Sequence, residues 1–325
     1  MLKHTVVTTT MSLCLALAAP AAAQAPRPDL FAPGAISGPA NDLSPAFTPD
    51  GRTVFFTRAN AMQSTIVVSR LSAGRWSTPE IAPFSGEWSD LEAAMAPDGS
   101  YLIFASNRPT APGGKPLDAF YNGAAQPGKG GNLWRVDRTA RGWSAPRRLP
   151  DVVNASTSIY SPSIAADGSL YFMQPTGAQA RFHLFRAAYT NGAYAAPVPV
   201  DVGAAEDVGD FDPAVAPDES FLVFSSARLP AKGTSLFITF RERGAWTAPT
   251  YLGDTVSAPG AGNIEARLGA DARTLYFSST RVVPTPLNDR AASARSLALM
   301  AAWNNGLANV WRVSLDAWLP ARGAR

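Results

Sequence analysis

Five segments of this sequence repeat one pattern. In each segment, a short alternating apolar run leads into a turn that contains an aspartate, and a second run with an aromatic residue near its end follows. The anchoring aspartates are Asp50, Asp98, Asp167, Asp218 and Asp271. The pattern predicts a strand, a tight turn and a second strand in every unit. Such repeats constrain the fold strongly, because each unit must bury its apolar face against its neighbours.

Two further strands are predicted in most units. The third strand is NLWRVDR, HLFRAAY, SLFITFR or NVWRVSL, and the fourth begins with GRWSTP, GWSAP, GAYAAP or GAWTAP. Units of four short antiparallel strands that recur at intervals of roughly 50 residues are typical of β-propeller blades. The sequence therefore predicts an all-β fold, a five-bladed β-propeller of four-stranded antiparallel blades.

The fourth strands supply one aromatic residue at a fixed place in each of four units. These residues are Trp76, Trp143, Tyr194 and Trp246. We expect them to form the core between blades rather than a sugar-binding platform, because aromatic side chains contribute most to such packing. The fifth unit lacks a clear fourth strand. The segment DLFAPGAIS, which starts at Asp29, is predicted to supply that strand and close the ring.

The N-terminus has the pattern of a secretory signal. Lys3 precedes an apolar run, and Ala21-Ala22-Ala23 gives the small-x-small pattern of a cleavage site. We expect a periplasmic or secreted protein that is a monomer and does not insert into a membrane. The predicted organisation is a signal peptide at 1–23, an N-terminal segment with the closing strand at 24–40, a β-propeller at 41–318 and a C-terminal tail at 319–325.

The composition is typical of a globular protein. Hydrophobic residues make up 46% of the 325 residues and charged residues 16%, which is enough apolar material for a core. The 28 basic and 25 acidic residues are dispersed along the chain, without the clustered basic stripe that nucleic acids require. No nucleic-acid partner is therefore expected. The only cysteine, Cys14, lies within the predicted signal, so no disulfide or thiolate metal site is expected after cleavage.

The repeats resemble those of the TolB-type β-propeller family, which has WD-like Pro-Asp repeats. The motif is a Pro-x-apolar-x-x-Asp-Gly turn followed by an apolar-Phe-x-Ser-x-Arg strand, and APDGSYLIFASNR and APDESFLVFSSAR match it best. The resemblance spans about Asn41 to Leu315. It implies a propeller that is mostly found in exported binding or scaffold proteins. A minority of related propellers act on polysaccharides, so the resemblance fixes the fold better than the activity.

Carboxylates occur six positions before the anchor in three units. They are Glu92, Asp212 and Glu265, at the predicted start of the innermost strands. Five-bladed glycosidases place their acid and base on inner strands, and such a cluster also suits calcium. The same three units carry an arginine ten positions after the anchor, namely Arg108, Arg228 and Arg281. We therefore predict structural ion pairs within each unit and no catalytic residue, with Glu92, Asp212 and Glu265 as the catalytic alternative.

A second polar ring is predicted two residues closer to the channel mouth. It consists of Asp42, Asp90, Asp210 and Asn263. The two-residue period of a strand places these residues on the same face as the inner carboxylates, and no basic residue recurs with them. They are predicted as a ligand-binding rim for a cationic group, sugar hydroxyls or calcium. The alternative is a solvated rim or turn caps. No cofactor is predicted, and calcium is left open.

Two long insertions between the second and third strands open onto the same mouth. They run from Pro109 to Gly131 and from Val282 to Ala308. Their units flank unit one in a five-membered ring, so the insertions can converge over the channel. The second insertion predicts a short helix that starts near Asp289 and has Leu297, Met300 and Ala301 on one face. This helix either packs on the propeller or forms a lid.

These observations favour an exported binding or scaffold protein without enzymatic activity. Its expected partner is a protein or polysaccharide of the cell envelope, which binds at the channel mouth. The alternative is a carbohydrate-active hydrolase or lyase that uses the inner-strand carboxylates.

Overall fold

Five antiparallel sheets form the blades of a propeller in the computed structural model of this chain. The structure describes residues 26–203, 207–286 and 289–321, so the predicted signal peptide at 1–23 lies outside the described residues. The innermost strands of successive blades contact one another, and that of blade 5 contacts that of blade 1. The ring is therefore closed, and the predicted five-bladed all-β fold is confirmed.

The strands follow the predicted order, although the fourth position is usually split into two short strands. The chain begins with β1 (Asp29–Leu30). Blade 1 contains β2 (Asn41–Phe47), β3 (Thr53–Ala59), β4 (Ser64–Ser72), β5 (Arg75–Trp76) and β6 (Glu80–Ile81). Blade 2 contains β7 (Asp90–Met95), β8 (Tyr101–Ser106), an inserted hairpin of β9 (Ala119–Tyr121) and β10 (Ala124–Gln126), then β11 (Asn132–Thr139), β12 (Gly142–Trp143) and β13 (Arg147–Arg148).

The remaining blades repeat this arrangement. Blade 3 contains β14 (Tyr160–Ile164), β15 (Leu170–Thr176), β16 (Arg181–Ala187), β17 (Tyr189–Thr190), β18 (Ala193–Tyr194) and β19 (Val198–Pro199). Blade 4 contains β20 (Asp210–Val215), β21 (Phe221–Ser226), β22 (Ser235–Glu242), β23 (Ala245–Trp246) and β24 (Thr250–Tyr251). Blade 5 contains β25 (Asn263–Leu268), β26 (Thr274–Ser279), the helix α1 (Arg290–Ala302) and β27 (Asn309–Ser314).

The anchoring aspartates stabilise the turn between the first and second strands of each blade. In all five turns the aspartate side chain accepts the backbone N–H of the residue two positions later, as Ser100 N does with Asp98 Oδ1 at 2.9 Å. This local bond is the reason that aspartate is favoured at the start of a turn. In the turn of blade 2, the hydroxyl of Ser100 also donates to the carboxylate of Asp98, and both bonds lower the pKa of Asp98.

Every innermost strand contains a β-bulge. The pairing with the second strand shifts register at the same place in each blade, for example between Leu91 and Ala94. One residue in each bulge has a positive φ of 49° to 56°, and these residues are Ser44, Glu92, Ser161, Asp212 and Glu265. Non-glycine residues rarely adopt this conformation, and a bulge of this kind redirects the strand's side chains. The three inner carboxylates of the sequence prediction, Glu92, Asp212 and Glu265, are therefore bulge residues, and Ser44 and Ser161 occupy the same position in the other two blades.

The N-terminal strand closes blade 5. β1 pairs antiparallel with β27, with Asp29 opposite Arg312. This confirms that the segment starting at Asp29 supplies the missing outer strand. The other blades have, in addition, a small hairpin strand that carries the recurring aromatic residue, namely β5, β12, β18 and β23. The described residues of blade 5 contain no counterpart of that hairpin.

The recurring aromatics pack between blades, as predicted. The ring centroid of Trp143 in blade 2 lies 5.5 Å from that of Phe55 in blade 1, and Trp246 in blade 4 lies 6.3 Å from Tyr171 in blade 3. Both pairs are edge-on, the geometry that aromatic quadrupoles favour. Burial of these rings joins neighbouring sheets into one core.

The helix of the second insertion begins as predicted. Asp289 is its N-cap residue and accepts the backbone N–H of Ala292 at 2.7 Å. Leu297 is 67% exposed and Met300 49%, so the apolar face that the sequence predicts points to solvent. No helix in the described parts of the chain is long and apolar enough to cross a membrane.

Candidate functional site

A cavity of about 640 Å³ occupies one end of the central channel, and we call it the channel pocket. At this end of the channel, the first strand of each blade starts and the second strand ends. The sequence predicts that the two long insertions face the same end. Its walls include the half-exposed rings of Phe182 and Phe211. Exposed polar residues from three different chain segments complete its lip, and these are Asn122, Arg181 and Asp207.

Three bulge carboxylates line the innermost part of the channel pocket, and each is less than one-tenth exposed. They are Glu92, Asp212 and Glu265. Glu92 Oε2 accepts the backbone N–H of Ser161 at 2.7 Å, and Asp212 Oδ2 accepts that of Glu265 at 2.8 Å. Glu265 Oε2 accepts the hydroxyl of Ser278 at 3.1 Å. The bonds from Ser161 and Glu265 connect neighbouring blades, so the backbone of the next blade holds the carboxylates of Glu92 and Asp212 in position.

Burial raises the pKa values of all three carboxylates. Desolvation, followed by the nearby charges of Glu265 and Asp212, raises the pKa of Glu92 to about 8. Desolvation and the charge of Asp212 raise the pKa of Glu265 to about 7. Desolvation also raises the pKa of Asp212, although the N–H of Glu265 opposes this. The cluster therefore retains protons at neutral pH and offers both hydroxyl donors and carboxylate acceptors.

One arginine, Arg267, lies beneath this cluster. It is 5% exposed, its Nη2 donates to Ser161 Oγ at 3.2 Å, and its charge lowers the pKa of each of the three carboxylates. Arg267 also lines a second cavity of about 340 Å³ at the opposite end of the channel. Arg267 therefore lies between the carboxylate cluster and the second cavity. The equivalent residues of the other units are small and share its strand position: Ala46, Ala94, Ser163 and Ala214.

The predicted ion pairs have different partners in the structure. Arg108 Nη2 donates to Asp90 Oδ1 at 2.7 Å, and Arg228 Nη2 donates to Asp210 Oδ2 at 2.5 Å. The pairing of Arg108 with Glu92 and of Arg228 with Asp212 is therefore wrong. The reason is the bulge, because it turns Glu92 and Asp212 into the channel while the aspartate two residues earlier stays inside the blade.

Blade 5 differs, since Asn263 replaces the aspartate. The Arg281 guanidinium lies near Asn263 Oδ1, at 3.4 Å, and donates to the backbone oxygen of Val256, so its predicted pairing with Glu265 is also wrong. Burial lowers the pKa of Arg281 to about 10, because desolvation disfavours the charged guanidinium. Its guanidinium lies over the rings of Phe277 and Trp311, which supply the remaining electrostatic stabilisation.

The expected open rim is buried. Asp42 and Asp90 are 0% exposed, Asp210 and Asn263 are 1% exposed. The expectation that no basic residue recurs with them is wrong, because all three aspartates bind an arginine, and Arg58 Nε donates to Asp42 Oδ1 at 2.7 Å. A two-residue period cannot be extended across a bulge, so these side chains do not share a face with the inner ring. Ligand binding by these residues stays a prediction, and arginines already occupy oxygens of the three aspartates.

Only the first insertion reaches the channel pocket among the described residues. Its hairpin, β9 and β10, lies over blade 3, where Asn122 N donates to Ala180 O at 2.8 Å and Arg181 Nη1 to Asn122 Oδ1 at 3.2 Å. Tyr121 packs against Phe182 with ring centroids 5.2 Å apart. The described residues of the second insertion, including the helix α1, do not line the pocket, and the convergence of both insertions over the mouth stays a prediction.

Sequence reasoning missed Phe182, Arg181, Asn122 and Arg267. The signal for Arg267 was present, because the alignment has small residues at its position in every other unit. The lip residues had no such signal, since they come from an insertion and from strand ends outside the repeated motif. Among the described residues, no group of three His, Cys, Asp or Glu is arranged to hold a metal ion, and calcium binding stays an untested prediction.

The fold is shared with solved structures of low sequence identity. The catalytic domain of the GH62 α-L-arabinofuranosidase from Coprinopsis cinerea matches with a TM-score of 0.50 and 13% identity, over 89% of this chain and 97% of that chain. A thermostable family-43 glycoside hydrolase matches with a TM-score of 0.50 and 10% identity, over 74% of this chain and 83% of that one. A putative TolB from Agrobacterium tumefaciens matches with a TM-score of 0.47 and 14% identity, over 77% and 73%.

At these identities the likeness shows the propeller fold alone. No protein-family model matches the sequence, and no curated protein matches it. The TolB-type repeat therefore stays a resemblance of sequence motifs on a five-bladed propeller.

Proposed function

We propose that this protein binds a saccharide of the cell envelope in the channel pocket. The observation that carries the proposal is the cluster of Glu92, Asp212 and Glu265, which keeps protons at neutral pH inside an open cavity. Fully ionised carboxylates would suit a cation. A cluster that shares protons presents donors and acceptors together, and sugar hydroxyls need both.

The walls and the size of the pocket support the same ligand class. Phe182 and Phe211 offer apolar ring surface beside the polar base, and aromatic rings combine large contact area with little conformational freedom. The volume of about 640 Å³ lies within the range of about 300–1,000 Å³ that is typical of small-ligand sites. A terminal sugar or a short oligosaccharide fits such a space, with the rest of a polysaccharide outside the lip.

Binding is tested by screening the purified protein on an oligosaccharide array and measuring the best ligand by calorimetry. We expect Phe182→Ala to weaken binding at least about 10-fold, because the ring forms a wall of the pocket. Phe120→Ala is the matched control, since Phe120 lies on the neighbouring hairpin and is 53% exposed. The proposal would be refuted if no oligosaccharide on the array bound the protein, or if Phe182→Ala and Phe120→Ala bound the ligand with equal affinity.

Glycoside cleavage is a second candidate, and the unequal proton affinities favour it. A carboxyl whose pKa is raised to about 8, as in Glu92, stays protonated at neutral pH and can act as a general acid. Asp212 or Glu265 would then act as base or nucleophile.

Cleavage is distinguished from binding by following the bound oligosaccharide over time. If the protein is a hydrolase, Glu92→Gln lowers turnover by about 10²–10⁴-fold while the ligand still binds. If the wild-type protein binds the ligand and releases no product, the binding function stands without catalysis.

We also propose that the protein is a monomer and that it is exported to the periplasm or secreted. The predicted signal peptide supports export. Cell fractionation and N-terminal sequencing of the mature chain, which is expected to begin at Gln24, test the location.

A further inference from the structure

The buried aspartates inside the blades are neutralised by arginines. Asp42, Asp90 and Asp210 each bind an arginine side chain of their own blade, with N–O distances of 2.5 to 2.7 Å. Buried charges are normally paired in this way, because an isolated charge is costly to remove from water. The fold therefore supplies a cation to each aspartate of this set.

The three carboxylates of the channel pocket have no such partner. None of the ion pairs in the described part of the chain includes Glu92, Asp212 or Glu265. Arg267, whose charge acts on all three, donates instead to a backbone oxygen at 2.7 Å and to Ser161 Oγ at 3.2 Å. Three buried carboxylates therefore share the field of one arginine that bonds to none of them.

One carboxylate oxygen of this cluster has no donor. Glu92 is 5% exposed and lines the channel pocket, and its Oε2 accepts the backbone N–H of Ser161. Its Oε1 accepts no hydrogen bond from any residue that the structure describes. A polar atom on a side chain buried to this extent normally has a partner. Since the side chain lines the cavity, a ligand in the pocket is placed to supply the donor.

Aromatic rings lie beside these carboxylates. Phe182 and Phe211 line the same cavity as Glu92. Tyr121 of the inserted hairpin packs on Phe182, and desolvation followed by the charge of Glu92 raises the pKa of Tyr121, so this ring also lies near the cluster. The faces of aromatic rings attract cations through the ring quadrupole. The rings and the carboxylates therefore both suit a cationic nitrogen on an organic ligand.

The other charged groups of the pocket do not change this balance. Arg181 and Asp207 have opposite charges and lie exposed at the lip. Within the described ranges, no three His, Cys, Asp or Glu residues are arranged to hold a metal ion. An ammonium group donates three hydrogen bonds of about 2.7–2.9 Å, so it accommodates carboxylates that are spaced more widely than metal ligands. An organic ammonium therefore fits the pocket better than a metal ion.

We propose that the saccharide bound in the channel pocket carries a protonated amino group, as a glucosamine unit does, and this inference rests on the proposed function. The ammonium lies among the three channel carboxylates and donates to their available oxygens, Glu92 Oε1 among them. Phe182 and Phe211 contact the apolar faces of the sugar. The ligand thereby supplies the cation that arginines supply to the buried aspartates of the blades.

Binding of the ammonium is coupled to proton release. Burial and neighbouring charges raise the pKa of Glu92 to about 8 and that of Glu265 to about 7. A cation at hydrogen-bond distance favours the ionised carboxylates, so it lowers these pKa values and displaces a proton. At about pH 6 an amine is already protonated, and both glutamates still carry protons. Under these conditions the protein therefore releases protons when the amino sugar binds.

The test compares three tetrasaccharides by isothermal titration calorimetry at about pH 6. They are the β-1,4-linked tetramers of glucosamine, N-acetylglucosamine and glucose. We expect the glucosamine tetramer to bind at least about 10-fold more tightly than the other two, because hydrogen bonds between charged groups are stronger than those between neutral groups. Titrations in two buffers of different ionisation enthalpy should show release of roughly one proton with the glucosamine tetramer and none with the glucose tetramer.

Protein variants locate the ammonium. Glu265→Gln removes one titrating carboxyl group from the pocket, and the amide oxygen can still accept the hydroxyl of Ser278. This variant should lose most of the preference for glucosamine and release fewer protons. Asp212→Asn tests the same point if Glu265→Gln does not fold. Glu80→Gln is the matched control, because it removes an exposed carboxylate from the outer strand β6 and should leave the preference unchanged.

Three results would overturn the proposal. The first is equal affinity for the glucosamine and N-acetylglucosamine tetramers, which would leave saccharide binding intact with a neutral ligand. The second is the absence of binding by the glucosamine tetramer, and the third is an unchanged preference in both Glu265→Gln and Asp212→Asn. Saccharide binding itself fails only if the oligosaccharide array also shows no ligand, so the failures of the two proposals are distinguishable.

Discussion

Two sets of buried carboxylates lie two residues apart on the same inner strands, and their surroundings differ. Asp90 is paired with Arg108, whose guanidinium also lies over the rings of Phe104 and Trp134. Among the residues that the structure describes, Glu92 has no arginine of its own blade as a partner, and the charges of Glu265 and Asp212 lie close to it. The aspartate therefore holds a blade together. The glutamate, in contrast, is a proton-sharing group in a cavity.

The bulge between these positions creates the difference. A regular strand would place Asp90 and Glu92 on one face, and the positive φ of Glu92 separates them. The same separation occurs in blade 4, where Asp210 pairs with Arg228 and Asp212 lines the channel pocket. Both sets of carboxylates are buried. An ion pair with an arginine of the same blade therefore distinguishes the structural carboxylates from those that are available to a ligand.

The largest effect is expected from breaking a structural pair. Arg108→Met leaves Asp90 buried without its cation, and we expect a loss of about 3–5 kcal/mol in the free energy of unfolding. Denaturant unfolding at pH 7 measures this loss. A loss below about 1 kcal/mol would mean that Asp90 does not depend on its arginine, and the comparison between the two sets would fail.

The next effect is the pH dependence of stability. Glu92 has a pKa of about 8 in the folded state, well above the usual value of 4.5. Between these values the folded state binds the proton and the unfolded state has released it, so stability falls as pH rises and levels off above about pH 8. The slope approaches about 1.4 kcal/mol per pH unit for a fully titrating group.

Unfolding measured from pH 5 to pH 9 tests this slope. The variant Glu92→Gln should show a flatter curve, because one titrating group is gone. A wild-type protein whose stability rises over this range would contradict the raised pKa values of the channel carboxylates.

The smallest effect is expected from Glu92→Gln at pH 7. Glu92 is already mostly protonated there, and the amide oxygen of glutamine can still accept the N–H of Ser161. The free energy of unfolding should change by less than about 1 kcal/mol. Differential scanning calorimetry of Glu92→Gln and Arg108→Met, measured side by side, compares the two losses of stability directly. A loss as large as that of Arg108→Met would assign a purely structural role to Glu92.

Much of the fold was readable from the sequence because the information is repeated. The aspartate turns, the inter-blade aromatics, the closing strand at Asp29 and the helix start at Asp289 all depend on local bonds or on patterns that recur. Each of these features was predicted and is confirmed. Repetition averages out the ambiguity of any single segment.

The candidate site was only partly predictable. The alignment identified Glu92, Asp212 and Glu265 as a ring, and the structure brings them together at the channel pocket. The alignment also assigned them the wrong arginines, because co-occurrence within a unit cannot show which of two nearby carboxylates a side chain contacts. The bulge has no sequence signature beyond the repeated motif itself. The sequence therefore could not show that Asp90 and Glu92 point to different faces of the strand. The lip of the pocket comes from an insertion without counterparts in other units.

Measuring the pKa values of the channel carboxylates tests most directly whether they keep protons at neutral pH. A titration of the glutamate side-chain carboxyl carbons by NMR follows each group, and Glu92→Gln and Glu265→Gln assign the two signals. The account predicts that one signal titrates near pH 8 and a second near pH 7, and that each is missing from its own variant. If every glutamate titrates near its ordinary value of 4.5, the channel carboxylates are ionised at neutral pH and the central claim is wrong.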